Sequence, residues 1–526
     1  MTLSAGFRLM RANFVLAREG VLALAPLDDA PPSAKFMIRT VRFLVERRSA
    51  QKRDMAARLG RALDRLGPSY IKLGQFLATR ADVVGDEVAA ELAKLQDQVP
   101  PVDDDVARAA VESELGEPID RLFQSFGKVV AAASIAQVHK AVVSDIAGER
   151  TVAVKVLRPG VARRFEKDLE SYYVAARFME RFVPSSRRLR PVAIVDTLAE
   201  SVRFEMDFRL EAAAISEMDE NSHDDAAFRV PSVEWRRTAR GVLTMEWIDG
   251  IKLSRLDELR AAGHDLRQLG RHVLQTFLRH AMRDGFFHAD MHQGNLFVEP
   301  GGTLVAVDFG ITGRLSKEER TVLAQILYGF ITRDYRRTAE AHFRAGYVPD
   351  TEDVDLFAQA LRAIGEPIRD ATAQDISMAR LLTQLFEVTE LFSMATQPQL
   401  IMLQKTMVVV EGVARSLDPE LDIWETAEPV VRDYLGAELG PQGTMRRAGD
   451  AAGALIEAAL AVPELTKRMD RLTNDLAVVL EKGLPAHPQS TAVMLARASG
   501  NSFARLIPLW LGAISLALIA VALLSE

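Results

Sequence analysis

The sequence predicts an α+β chain: a small β-rich lobe, then a larger and mostly helical lobe, with an extra helical module in front. Three patterns point there. Between residues 129 and 156 the apolar spacing takes the period of two that strands require, and residues 241–248 resume it. From residue 266 onward nearly every segment carries helical spacing. Within that stretch, residues 296–298 and 303–307 are short apolar runs on either side of Pro300, Gly301 and Gly302, the pattern of a hairpin.

Taken in order, residues 1–66 form a basic helical segment, with Phe36, Ile38, Val41, Leu44 and Val45 at helical spacing. A second helical region, 67–118, runs to Pro100 and Pro101, where fixed φ and missing N–H groups end it. A further helix from Asp103 to Leu115 stops at Gly116. In the β-rich lobe, 119–246, residues 129–139 and 141–143 read as strand, loop, strand. Ala147 and Gly148 then turn the chain into Thr151-Val-Ala-Val-Lys155-Val. Helices are expected over 161–182 and 191–222 before the 241–248 strand. The helical lobe covers 247–437, and 438–504 is a linker and helical segment with Gly/Pro-rich stretches at 438–449 and 483–490. Residues 506–524 carry no charge over about the ~20 residues that cross a bilayer as a helix. Arg497 and Arg505 precede this stretch and only Ser525 and Glu526 follow. Residues 505–526 are therefore expected to be a C-terminal transmembrane anchor in the inner (cytoplasmic) membrane, with the bulk of the chain on the cytoplasmic side.

Composition narrows the classes. At 526 residues, 48% hydrophobic and 26% charged, the chain is ordinary globular protein with core for several domains. A net charge of −7 carries no nucleic-acid signature. Residues 1–66 nevertheless hold thirteen Lys and Arg against six acids. That excess suits anionic membrane lipids, and a solvated helix face explains it equally well. With no cysteine, disulfides, thiolate zinc sites and cysteine nucleophiles are excluded. Arg18 and Glu19 interrupt the N-terminal apolar stretch, which does not read as a cleavable signal.

The chemistry concentrates in His288-Ala-Asp290-Met-His-Gln-Gly-Asn295 and Val307-Asp308-Phe309-Gly310. Asp290 and Asn295 stand five residues apart and Asp308 follows, the layout of a kinase catalytic loop and its metal-binding loop. One carboxylate orients the attacking hydroxyl or water, while the amide oxygen and second carboxylate hold Mg²⁺ against the phosphates. Lys155, alternating on its strand, suits nucleotide phosphates if a helix glutamate orients it. Glu205, Asp207 and Glu211 are three acids on the expected 191–222 helix, one of which should pair with Lys155. Where a glycine-rich loop would cover the nucleotide stand Ala131, Ala132, Ala133, Ser134, Ile135, Ala136 and Gln137, a stiffer run. Glu246, in the returning strand, is grouped with these nucleotide-binding residues. A metal-dependent hydrolase built on His288, Asp290 and His292 is the competing reading, but no second close histidine pair completes its ligands. No Ala-Pro-Glu follows Asp308. Arg314-Leu-Ser-Lys enters a helix almost at once, leaving no room for the segment that docks a protein substrate.

These motifs, with Lys72-Leu-Gly74-Gln75, Gln96-Asp97-x-Val-Pro-Pro and Gly313-Arg-Leu-Ser, resemble the UbiB family of atypical kinases over roughly residues 60–350. Met291, Gln293, Ala81 and Gly85 stand where that family commonly carries proline. The resemblance implies a protein-kinase-like bilobal fold with an N-terminal helical KxGQ extension. It implies that Lys72 and Gln75 gate the nucleotide pocket, with Lys72 near Glu205 or Asp207, and that Lys155 pairs with Glu211. Asp290 would be the catalytic acid/base, Asn295 and Asp308 the metal ligands, and ATP and Mg²⁺ the cofactors. An ATPase or small-molecule kinase of ubiquinone biosynthesis follows, with pathway enzymes or quinone-precursor lipids as partners. A non-catalytic scaffold and a true protein kinase are the alternatives.

Overall fold

The structure, a computed structural model, describes residues 3–19, 55–78, 100–145, 148–182, 190–370 and 398–439, with isolated positions between them. In chain order the helices α1 (Leu3–Arg18), α2 (Met55–Leu66), α3 (Pro68–Ala78), α4 (Asp104–Leu115) and α5 (Ile119–Leu122) precede β1 (Ser125–Ala132), β2 (Ala136–Asp145) and β3 (Gly148–Leu157). Then come α6 (Val161–Phe182), α7 (Pro191–Glu205), α8 (Phe208–Ser222), β4 (Phe228–Arg229), β5 (Val242–Glu246), β6 (Ile251–Lys252), α9 (Leu256–Ala261) and α10 (Leu266–Arg279). After a π turn at His280–Asp284 follow β7 (Phe286–His288), β8 (Leu296–Val298), β9 (Leu304–Ala306) and β10 (Thr312–Arg314). The last described helices are α11 (Lys317–Thr332), α12 (Tyr335–Arg344), α13 (Val354–Asp370), α14 (Pro398–Leu417) and α15 (Ile423–Leu439). Two compact units result among the described residues, one from those up to 213 with 232–247, the other from 214–231 with 248–439.

The first unit is built on an antiparallel sheet in the order β1-β2-β3-β5. Val152, Val154 and Val156 alternate onto one face, where they pack with Val111 of α4, Ile119 and Leu122 of α5, and Phe123 and Phe126. Each such side chain contributes roughly 1.5–3 kcal/mol on burial. Period two puts Lys155 on the opposite face, registered between Val138 and Leu243. α4 thus belongs with the sheet, ending as expected on Gly116 in the left-handed region. The KxGQ helix α3 is braced from α6, where Asp168 accepts the Ser69 hydroxyl at 2.6 Å and Tyr70 meets Tyr172 edge to face. α1 buries Leu9, Ala12 and Leu16, at helical spacing, and joins α6 through Arg8 and Ser171 at 3.1 Å.

The second unit holds a sheet in the order β4-β9-β8-β6 and a ribbon of β7 with β10. β8 and β9 are the hairpin read from the sequence, with Gly302 at a φ of 86° in its turn. α10 buries Leu269, Val273, Leu274, Phe277 and Leu278, and α14 packs on it. Gly270 permits that approach, because a Cβ there would stand 3.0 Å from the Ala414 carbonyl oxygen. Ser316 and Glu319 form a reciprocal capping box that starts α11 two residues after β10.

Three expectations are corrected. Residues 191–222 are two helices, broken at Met206 and Asp207, where the Phe208 N–H leaves to donate to the Arg240 carbonyl. The 129–143 region is a tight hairpin, whose turn at 133–135 closes through the Ala133 N–H and the Ala136 carbonyl, 2.8 Å apart. The C-terminal transmembrane helix, and the inner-membrane location read from it, do not stand: no helix among the described residues is long and apolar enough to cross a membrane. Residues 505–526 themselves lie outside the described residues, as do 36–54, most of 79–99, and the linkers at 440–449 and 483–490.

Candidate functional site

In the second unit the site is organised by one buried imidazole. His288 ends β7 and is 1% exposed. Its Nδ1 accepts the Asp290 N–H at 3.0 Å, and its Nε2 lies 3.1 Å from the Val307 carbonyl. A ring nitrogen that accepts a hydrogen bond carries no proton, so His288 is neutral with its proton on Nε2, assigned from these partners. Burial pushes its pKa down, opposed by the Val307 bond and by the negative charges of Asp290 and Asp308. Both carboxylates therefore lie in the field of this one ring, and Phe309 packs on it at 4.7 Å between centroids.

Asn295 closes the loop. Its N–H donates to the His292 carbonyl at 3.0 Å, its carbonyl accepts the Val307 N–H at 2.9 Å, and its Nδ2 donates to the Asp290 carbonyl at 3.2 Å. With the amide nitrogen committed, the amide oxygen is the atom left to meet a cation. Asp308 has a φ of 63°, a left-handed conformation uncommon outside glycine that clusters at functional sites. The Asp290 side chain is 45% exposed, beside His292 with 3.7 Å between Oδ2 and Nε2. His292 spends Nδ1 on the Gly294 N–H at 3.0 Å. Both His288 nitrogens are likewise occupied, and among the described residues no group of three His, Asp or Glu could hold a metal ion. The H-x-D-x-H hydrolase reading falls on these contacts.

The first unit brings together the other expected residues. Lys155 Nζ lies 2.7 and 2.9 Å from the two Glu211 oxygens, with the side chains 13% and 6% exposed. Glu211 occupies the first turn of α8, where the helix dipole favours a carboxylate, and the Phe208 ring lies 5.3 Å from the ammonium. Lys72 of α3 reaches Glu205 Oε2 at 2.5 Å, both nearly buried. Asp207 is turned instead to Arg209, at 2.8 and 2.6 Å, and those hydrogen bonds hold its carboxyl below the usual carboxylate range. Gln75 is half-buried on α3.

The alanine-rich run splits across the hairpin. Ala131 and Ala132 end β1, Ala133, Ser134 and Ile135 form the turn, and Ala136 and Gln137 open β2. Gln137 is buried: its Oε1 accepts the Val102 N–H at 2.9 Å, and its Nε2 meets His139 Nε2 at 2.8 Å. Glu246 ends β5 and accepts the Ser232 N–H at 3.2 Å. Sequence reasoning passed over Arg158, which donates to the Ala133 carbonyl at 2.9 Å and the Pro100 carbonyl at 2.8 Å. It pins the turn to the chain leaving the double proline.

Residues 94–342 match the model of the ABC1 atypical kinase-like domain, and residues 361–422 match that of the UbiB helical domain. A protein of Marinobacter nauticus named "Probable protein kinase UbiB" is 36% identical over 493 residues, 93% of this chain and 88% of that protein. The chain belongs to the UbiB family of atypical kinases. Among solved structures, a Mycobacterium tuberculosis protein in complex with erythromycin is 26% identical, covering 74% of this chain and 97% of its own at a TM-score of 0.49.

Where the UbiB family's usual loop prolines are replaced, the substituted side chains have partners. Met291 is buried, and Gln293 donates to Ser416 of α14 at 2.6 Å. Ser416 falls within the stretch that matches the UbiB helical domain. A helix residue more than a hundred positions downstream leaves no local signal that could have announced this contact.

Proposed function

We propose that this UbiB-family protein binds Mg·ATP and cleaves or transfers its terminal phosphoryl group in support of ubiquinone biosynthesis. The observation that carries the reading is the cluster around His288, which joins the Asp290 backbone, the Asn295 loop and Val307, the residue before Asp308, in one hydrogen-bonded unit. Asp290, half exposed, is the group to orient and deprotonate the attacking hydroxyl or water. Asn295 and Asp308 would hold Mg²⁺, which neutralises phosphate charge when bound. A hard divalent ion of this kind needs only one or two protein oxygens beside the phosphates, which fits an amide oxygen and one carboxylate. Lys155, oriented by Glu211, and the turn at 131–137 are assigned to the nucleotide, together with Glu246. Lys72, Gln75, Glu205 and Asp207 are assigned to gating.

The curated relative is named a protein kinase, but the short 311–316 connection between Gly310 and α11 favours a small acceptor such as a quinone-precursor lipid, or water. The test is Mg·ATP turnover by full-length protein with and without quinone-precursor phenols. Measurable turnover that Asp290→Asn abolishes is expected. Turnover retained in that variant would remove Asp290 from the catalytic role, and complementation of a quinone-deficient strain by it would favour the scaffold.

A further inference from the structure

The loop 289–295 is held from one side by its own residues and from the other by α14. Ala289 is held through both of its backbone polar groups: its N–H donates to the Ile311 carbonyl at 3.1 Å, and its carbonyl accepts from Thr406 Oγ1 at 3.1 Å. Thr406 is fully buried and shares its single proton with the Met402 carbonyl at 2.8 Å. Four residues along the loop, Gln293 Nε2 donates to Ser416 Oγ at 2.6 Å. The Ser416 proton goes to the Val413 carbonyl, also at 2.6 Å, so the hydroxyl presents a lone pair in one fixed direction. Met291, between the two anchored residues in sequence, is 1% exposed. Thr406 and Ser416 are ten residues apart, about 15 Å along a helix, so they fix the loop's direction as well as its position. α14 is itself seated on α10 at Gly270.

We propose that Thr406 and Ser416 are positioning residues: α14, in the helical domain, clasps residues 289–293 and so holds Asp290 in its working orientation. This rests on the catalytic reading of Asp290 given above. It makes the helical domain a working part of the site, and any movement of α14 would be felt at the reacting carboxylate.

Ser416→Ala, Thr406→Val and Thr406→Ser in the full chain test this by amide hydrogen exchange and Mg·ATP kinetics. Loss of one net hydrogen bond is expected to speed exchange at Gly294 and Asn295 by about five- to tenfold in the first two variants. The kcat should fall by a similar factor of about five- to tenfold with KM for Mg·ATP unchanged, the mark of lost orientation rather than lost binding. Thr406→Ser keeps the hydroxyl and should stay within about twofold of the parent. Ser416→Ala, at a half-buried helix position, keeps the test open if Thr406→Val unfolds. Unchanged loop exchange in folded Ser416→Ala overturns the clasp, as does a loss that appears in KM alone. If the parent protein shows no turnover while Ser416→Ala still loosens the loop, the clasp stands and the catalytic reading fails.

Discussion

His288 uses both ring nitrogens on the backbone of the loops that carry Asp290 and Asp308, and so joins their positions to its own protonation state. Its pKa is depressed by burial, so its contribution to stability is complete above the ordinary value of about 6.5 and is lost as pH falls below it. A protonated Nδ1 cannot accept the Asp290 N–H. Protection of that amide against exchange is therefore expected to hold through pH 6.5 and to fall only at lower pH, and protection already lost above pH 6.5 would contradict the assignment. The Lys155–Glu211 pair makes a second residue-scale prediction. Lys155→Met strands a buried carboxylate and should cost about 3–5 kcal/mol in urea unfolding, while adding Glu211→Leu should restore most of it. A double variant as unstable as the single one would show that the pair's charges are not coupled. Lys155, Asp290, Asn295 and Asp308 were legible in the sequence because short-range spacing encodes them. The choice of Glu205 over Asp207 as the partner of Lys72 was not, because Arg209 takes Asp207 only once the chain breaks there.

Elements with a clear period were legible: the strand bearing Lys155, the β8–β9 hairpin, and α4 with its glycine end. The break between α7 and α8 was not. Neither proline nor glycine marks it, and it is fixed by the Phe208 N–H donating to the distant Arg240 carbonyl, which a local reading cannot weigh. The short entry into α11 was legible from the Arg314-Leu-Ser-Lys run, and the contribution of its cap can be measured. Ser316→Ala removes the side chain that accepts the Glu319 N–H and should destabilise the second unit by about 1 kcal/mol. No change in its unfolding midpoint would mean that the cap is redundant with the β10 packing before it.

At the scale of the whole chain, family membership was legible because four separated motifs fall in one order, which chance spacing does not reproduce. The membrane anchor shows the limit of hydropathy. An uncharged run at 506–524 meets the length a bilayer crossing asks for, and length and composition alone do not establish a crossing. The catalytic account requires Asp308 to carry a divalent ion against a nucleotide. Thermal melting of full-length protein and of Asp308→Asn, with Mg·ATP and with ATP plus EDTA, tests this most directly. A ligand at a hundredfold its Kd stabilises by about 2.7 kcal/mol. The account predicts that shift in the parent only when Mg²⁺ is present and its loss in Asp308→Asn. An equal Mg²⁺-dependent rise in both proteins would contradict it.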